Sequence, residues 1–218
     1  MVFTSVNFFI FLFALLLVYY LTPMRYRWLV LLLAGYFFYI NTKPVFALLL
    51  AGVTASTYLF TRLIAGAASE AARSRYKVIN IILILLPLFF FKYFGAINDG
   101  MISVFQQWHL RWPLPEVKLL MPVGISFYTF MAIGYTMDVF NEEVEAEKNP
   151  GIVALFISFF PLILSGPIER AKNMLPQFNA PVNPEYTMVR HGLKLMLWGF
   201  FLKLVVADRL GIYVDAVY

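Results

Sequence analysis

The chain has 218 residues, of which 61% are hydrophobic and 13% charged, and its mean hydropathy is +0.77. These values exclude an ordinary soluble domain and predict an all-α, polytopic transmembrane protein. The chain has no cysteine and a formal net charge of +5 without a long basic stripe, which excludes thiolate chemistry and disulfides and gives nucleic-acid binding no support.

Seven apolar runs predict the membrane spans of one transmembrane domain covering residues 1–218. The first run ends at Thr22-Pro23 without a small-residue cleavage pattern, so we expect it to remain as a helix. Two more polar stretches, 96–118 and 173–185, are interpreted as connectors lying on the membrane surface. The predicted spans are 6–21, 28–40, 45–65, 78–94, 119–140, 152–165 and 187–206.

Basic residues in the short loops predict the orientation of the chain. Arg25 and Arg27 follow the first run, and Arg73, Arg75 and Lys77 follow the third. Because cytoplasmic loops carry an excess of Lys and Arg, these two loops are predicted to be cytoplasmic and the N-terminus outside.

The fifth run is apolar enough to enter a bilayer, yet it carries several polar side chains. On a helix of about 100° per residue, the hydroxyls at 126, 129 and 136 share one face and the tyrosines lie roughly opposite. Polar groups at membrane depth usually face a protein interior or a wet cavity, so this run is a candidate wall of a functional passage. Alternatively, the hydroxyls bond within the helix bundle, the tyrosines form an interfacial belt and the aspartate lies among headgroups. The candidate lining residues are Ser126, Tyr128, Thr129, Tyr135, Thr136 and Asp138.

The sixth run breaks close to charged residues. Pro161 interrupts it and Gly166-Pro167 ends it, and a membrane helix that ends there needs its free carbonyl groups satisfied by protein or water. This pattern again favours a cavity wall, although an ordinary helix end with Glu169 and Arg170 as a surface pair explains it equally well. The candidate residues here are Ser165, Gly166, Pro167, Glu169 and Arg170.

Other polar residues give weaker signals. The acidic cluster at 141–150 is typical of a solvated turn, and His109 and His191 have no evident catalytic partner. No metal-ligand cluster, phosphate-binding glycine loop or nucleophile elbow is visible in the sequence. The residues alone therefore leave two classes open, a membrane-embedded enzyme and a transporter or export subunit.

Two motifs resemble those of a known family. The run Met121-Pro122-Val123-Gly124-Ile125-Ser126-Phe127-Tyr128-Thr129-Phe130 with Tyr135-Thr136-Met137-Asp138-Val139-Phe140 is similar to a signature of membrane-bound O-acyltransferases. The segment from Phe159-Phe160-Pro161 through Gly166-Pro167-Ile168-Glu169-Arg170 to Pro176-Gln177-Phe178 is similar to a second one. Both point to the bacterial branch of alginate O-acetylation and DltB-like proteins, and the resemblance extends over essentially the whole chain.

The resemblance implies a ring of transmembrane helices around a central tunnel in the bacterial cytoplasmic (inner) membrane. An acyl group, acetyl by expectation, would pass from a cytoplasmic thioester donor, acetyl-CoA or an acyl carrier protein, toward hydroxyls of an extracytoplasmic cell-surface polymer. The expected partners are the lipid bilayer, the acyl donor and an extracytoplasmic acetyltransferase, with no bound cofactor, no metal and no nucleic acid.

One departure from the family concerns catalysis. The essential histidine of the family lies in a later membrane segment, and neither His109 nor His191 stands in its motif. No catalytic residue is therefore assigned in this chain, which we expect to be the N-terminal half of such an enzyme and inactive alone. The alternative is a non-enzymatic transport, export or scaffold subunit.

Overall fold

The computed structural model describes residues 3–40, 44–108, 120–164, 166–180 and 184–217. Within these ranges the regular elements are all helices, as predicted, and no strand occurs. A 3-10 turn (Met24–Tyr26) and a π-helical segment (Leu202–Ala207) occur beside the α-helices. The α-helices are α1 (Val6–Leu21), α2 (Arg27–Ile40), α3 (Pro44–Gly66), α4 (Glu70–Gln107), α5 (Ile125–Phe140), α6 (Pro150–Ser158), α7 (Phe160–Ile163), α8 (Ala171–Asn179), α9 (Tyr186–Phe201) and α10 (Asp208–Val217).

Membrane character is supported by the longest helices. Among the described residues, α3 and α4 are long and apolar enough to cross a membrane, and α1 is apolar but shorter. The division of the chain into seven spans stays a prediction.

Short polar side chains define where several helices begin. Ser5 and Ser69 each accept a hydrogen bond from the backbone N–H three residues later, at 3.3 Å, and so cap α1 and α4. Asn149 accepts one from Gly151 at 2.9 Å and caps α6, whose first residue is Pro150. These caps satisfy backbone donors that have no partner inside their own helix.

The fourth helix is much longer than the sequence predicted. The expected span was 78–94, but α4 covers 38 residues, so 96–107 is helical and continuous with that span, and its place at the membrane surface stays a prediction. No proline occurs between Pro87 and Pro113, and Ser103 donates to the Asp99 carbonyl oxygen within the helix at 2.9 Å. Polar side chains therefore do not end it. The rest of the connector, including His109, lies outside the described residues.

Two further boundaries differ from the prediction. The stretch from 173 was expected to be a loop, but α8 continues to Asn179, and Gln177 donates to the Asn173 carbonyl oxygen at 2.8 Å. The sixth run breaks at Phe159, whose backbone is extended, rather than at Pro161. Pro161 lies in the first turn of α7, where its missing N–H leaves no hydrogen bond unmade.

The helices form two connected apolar clusters around α5. The larger cluster joins α5 to α3, α4, α6 and α8, and the smaller one packs the rings of Phe8, Phe38 and Phe160 between α1, α2 and α7. In contrast, α9 and α10 have no buried residue, although the rings of Phe9 and Phe200 lie 5.2 Å apart. The polar residues of α5 therefore lie inside the packed part of the molecule.

Gly124 is the residue that turns the chain into α5. Its φ is +74°, a left-handed conformation that glycine adopts without strain, and an added Cβ would overlap the Ile163 carbonyl oxygen. Close approach of this turn to α7 thus requires glycine at 124.

We expect Gly124→Ala to lower the free energy of unfolding by about 1–3 kcal/mol, because it adds both backbone strain and a steric overlap. Gly134→Ala is the matched control: it lies within α5, its added Cβ meets nothing within 4 Å, and it should stabilise the protein by up to ~1 kcal/mol. Denaturant unfolding in mixed micelles, followed by far-UV circular dichroism, measures both. Equal stabilities for the two variants would contradict the requirement for glycine at 124.

Candidate functional site

Both predicted faces of α5 are buried. Tyr128, Thr129, Tyr135 and Thr136 are each at most 1% exposed, and only Ser126 among the predicted hydroxyls is half-buried. The alternative in which the tyrosines form an interfacial belt is therefore wrong. The physical reason is that α5 packs against α3, α4, α6, α7 and α8, so neither face is left open to lipid headgroups.

A buried amide on α4 connects three helices. Asn80 donates to the Thr136 hydroxyl at 2.8 Å and accepts from the Ser56 hydroxyl at 2.8 Å. The Thr136 hydroxyl in turn donates to the Ala132 carbonyl oxygen at 2.8 Å. The sequence analysis missed Asn80, although it is the one amide side chain within the apolar run 78–94 and could have been noticed for that reason.

Tyrosine hydroxyls attach the segments at the two ends of α5. The hydroxyl of Tyr39, on α2, donates to the Val123 carbonyl oxygen at 3.0 Å, and its ring meets the Tyr128 ring edge-on. The hydroxyl of Tyr135 accepts from the Glu147 backbone N–H at 2.9 Å. Both bonds join non-helical backbone to the helical core, which satisfies groups that a helix end leaves open.

An ion pair joins the end of α5 to the segment before α8. Arg170 donates to Asp138 Oδ1 at 2.6 Å, the carboxylate being fully buried and the arginine side chain 64% exposed. Two alternatives from the sequence analysis are therefore wrong. Asp138 is buried rather than exposed among headgroups, and Arg170 pairs with Asp138 rather than with Glu169. A buried carboxylate requires such a partner, because its burial without one is very unfavourable.

The segment between α7 and α8 contains the second group of predicted residues. Gly166, Pro167 and Glu169 lie in non-helical backbone, Pro167 exposed and the other two half-buried, while Ser165 lies outside the described residues. The predicted break is therefore present. The ion pair of Arg170 brings its end to α5, and so connects the two groups that the sequence singled out separately.

Three buried polar atoms of α5 have no hydrogen bond of normal geometry among the described residues, although the Tyr128 hydroxyl interacts with the Tyr39 hydroxyl. They are the Tyr128 hydroxyl, the Thr129 hydroxyl and Asp138 Oδ2. The residues span ten positions, about 15 Å along the helix axis at 1.5 Å per residue. Unpaired buried polar atoms are rare in native proteins, and a water, a ligand or another polar group commonly completes them. Tyr128 and Asp138 lie about 80° apart around the helix and can meet a polar group on one side of α5, whereas Thr129 lies on the other side.

Comparison with known proteins shows similarity to acyltransferases that act on polymers. The chain is 35% identical to a probable alginate O-acetylase of Pseudomonas aeruginosa over 99% of its own length and 41% of that protein. It is 29% identical to the peptidoglycan O-acetyltransferase of Helicobacter pylori over 86% of its length and 39% of that protein. A teichoic acid D-alanyltransferase of Lacticaseibacillus rhamnosus is 28% identical over 41% of the chain and 22% of that protein.

Over nearly its whole length the chain is similar to alginate O-acetylases, which belong to the branch that its motifs resemble. It spans about two fifths of the length of the alginate O-acetylases that it matches. No family profile matches the chain, and no solved structure does. The resemblance seen in the motifs around Asp138 and Arg170 is thus confirmed by similarity over nearly the whole chain.

Thr129 and Thr136 provide a matched pair for testing the hydrogen bonds of α5. We expect Thr136→Val to lower the free energy of unfolding by about 1–3 kcal/mol, because the buried Asn80 amide loses its acceptor. Thr129→Val removes a hydroxyl that has no described partner, so stability should stay within about 0.5 kcal/mol. Denaturant unfolding measures the free energy of unfolding of both variants. A larger loss of stability for Thr129→Val than for Thr136→Val would contradict the described hydrogen bonds.

The ion pair is tested by a double-mutant cycle. Arg170→Ala leaves a buried carboxylate without its donor and should lower the free energy of unfolding by about 1–3 kcal/mol. In the background of Asp138→Asn the same change should matter much less, giving a coupling energy of about 1 kcal/mol or more. Arg190→Ala, an exposed arginine on α9, is the control and should have little effect. Additive effects at 138 and 170 would show that the pair is not coupled.

Proposed function

We propose that this chain is part of an O-acyltransferase that moves an acyl group, acetyl in the first instance, toward hydroxyls of a cell-surface polymer. The donor is a cytoplasmic thioester, acetyl-CoA or an acyl carrier protein. Relatives named as alginate O-acetylase and peptidoglycan O-acetyltransferase support the reaction class. The structural observation that carries the proposal is the presence on α5 of buried polar atoms without a hydrogen bond of normal geometry among the described residues.

In this proposal α5 forms one wall of a tunnel through a ring of helices. The wall comprises Tyr128 and Asp138, which lie about 80° apart around α5 at about 100° per residue, and their oxygen atoms hold the acceptor hydroxyl or an ordered water in line with the thioester. Orientation of two reactants in this way replaces a bimolecular encounter and contributes a large part of a rate enhancement. Thr129 lies on the opposite side of the helix from Asp138 and does not face this wall. The remaining predicted residues, Ser126, Tyr135 and Thr136, support the wall rather than meet the substrate.

The ion pair has a positioning role in the same proposal. Arg170 holds the segment that begins at Gly166 against the end of α5, so that Asp138 Oδ1 is neutralised and Oδ2 remains directed toward the tunnel. The general base is assigned to no residue of this chain, and the residues described here bind and orient rather than transfer the proton. Removing the ion pair should therefore displace the residues that orient the substrate, and it should slow the reaction only through that displacement.

The setting proposed is the bacterial cytoplasmic membrane, with the N-terminus outside. The loops that carry Arg25, Arg27, Arg73 and Arg75 then face the cytoplasm, where an excess of basic residues is expected. An extracytoplasmic acetyltransferase that takes up the acyl group on the other side is the partner proposed.

The function is tested in cells that lack the gene and carry variants of its complete coding sequence. We expect the deletion to leave the amount of surface polymer unchanged while ester-linked acetate, released by mild base and measured by chromatography, falls to background. Asp138→Asn should lower acetate by about tenfold or more per unit of protein in the membrane, since lost orientation alone can cost that much. Thr129→Val removes a hydroxyl on the opposite side of α5 from Asp138, so it should lower acetate much less than Asp138→Asn.

The control is a variant away from α5, and the contrary outcome is a loss of polymer export. Arg75→Gln, an exposed arginine away from α5, should leave acetate unchanged. If the deletion instead stops the polymer from reaching the surface while its acetate content per sugar stays normal, the chain is an export or scaffold subunit and the acyltransferase proposal fails.

A further inference from the structure

A cleft of about 430 Å³ lies between the α1–α2 connection and the end of α8. Its walls are apolar and aromatic, from Met24 and Trp28 on one side and Phe178 on the other, and two arginines, Arg25 and Arg27, line it as well. This volume is within the range of small-ligand sites, and none of its described lining residues is acidic. The candidate tunnel wall on α5 contributes no residue to this lining.

One of the two arginines is held in place by several contacts. Arg27 Nε donates to the Thr22 carbonyl oxygen at 3.1 Å, and the guanidinium lies over the rings of Tyr19 and Tyr20 at 5.1 and 5.5 Å from their centroids. Cation–π contacts of this kind orient a guanidinium while leaving its charge intact. The guanidinium of Arg27 therefore places a positive charge at a defined position in the cleft.

The second arginine adds exposed charge at the entrance. Arg25 is exposed, its guanidinium stacks on the Tyr26 ring at 5.9 Å from the centroid, and no carboxylate of the described residues forms an ion pair with it. The other cleft of similar size, near the end of α5, is different because Arg62 and Arg73 share its lining with Glu142 and Glu145. Among the described lining residues, the charged ones in the cleft beside α1 are all basic, whereas those near the end of α5 have both signs.

The position of the cleft relates it to the membrane surface. It lies just beyond the last residue of α1, an apolar helix of 16 residues, or about 24 Å at 1.5 Å per residue. Arginine, tryptophan and tyrosine together at the end of an apolar helix are typical of the headgroup level of a bilayer. A ligand with a phosphate group above an apolar body fits this combination of arginines and aromatic walls.

We propose that this cleft binds the headgroup of an anionic phospholipid, with the phosphate at Arg25 and Arg27 and the upper acyl chain against Met24, Trp28 and Phe178. An anionic lipid is favoured over a zwitterionic one because the lining offers no carboxylate for a headgroup cation. The cleft joins the α1–α2 connection to α8, and α8 begins directly after Arg170. A bound lipid thus bridges the α1–α2 connection and the end of α8, the helix whose other end follows Arg170.

The test uses the complete protein in nanodiscs of phosphatidylcholine containing a minor fraction of photoreactive phosphatidylglycerol. After illumination, mass spectrometry maps the cross-linked peptides. We expect adducts on peptides containing Met24–Trp28 or Phe178, and excess unlabelled phosphatidylglycerol should compete better than phosphatidylcholine. Arg25→Gln should reduce these adducts about fivefold, the effect expected for one basic residue at an anionic surface, whereas Arg25→Lys retains most of them.

Several controls make the outcome decisive. Ala180→Trp fills the cleft without changing its charge and should also abolish the adducts, while Arg75→Gln, an exposed arginine in neither cleft, should not alter them. Glycerol phosphate at matched ionic strength should not compete; if it does, the ligand is a soluble phosphate compound and the lipid proposal fails. Equal labelling with phosphatidylcholine, or equal losses for Arg25→Gln and Arg75→Gln, would also overturn it.

Discussion

The structure depends on the burial of one carboxylate. Asp138 is fully enclosed at the end of α5, and an ionised group in such a place is tolerated only when another charge meets it. The arginine that meets it belongs to the segment between α7 and α8, so the helical break after α7 is held in one position. The enclosure of α5, the course of the chain into α8 and the location of the candidate site all follow from this pair.

Apolar patterning predicted most of the fold, and the errors have identifiable causes. The bounds of α1 agree with the predicted run, since its ends coincide with Ser5 and Thr22. The extent of α4 beyond Phe94 was missed because a change from apolar to polar side chains is not a helix stop when neither proline nor a capping motif accompanies it. Likewise Pro176 suggested a loop, but a single proline near the end of a short helix removes only one hydrogen bond.

The candidate site was predictable in its members but not in its connections. Polar residues in an apolar run mark α5 as unusual, and that signal is present in the sequence. Which partner each side chain meets is a tertiary property: the pairing of Asp138 with Arg170 spans 32 positions, and that of Thr136 with Asn80 spans 56. Helical periodicity describes one helix at a time and therefore cannot show that the two faces of α5 are both interior.

The length of α4 has a mechanical consequence. At 1.5 Å per residue its 38 residues extend about 57 Å, nearly twice the ~30 Å hydrocarbon thickness of a bilayer. A helix of this length either tilts strongly in the bilayer or projects into water, and in both cases its two ends lie in different surroundings. Arg73, in the first turns of α4, forms an ion pair with Glu142 in the acidic loop. A tilt of α4 therefore moves that loop as well.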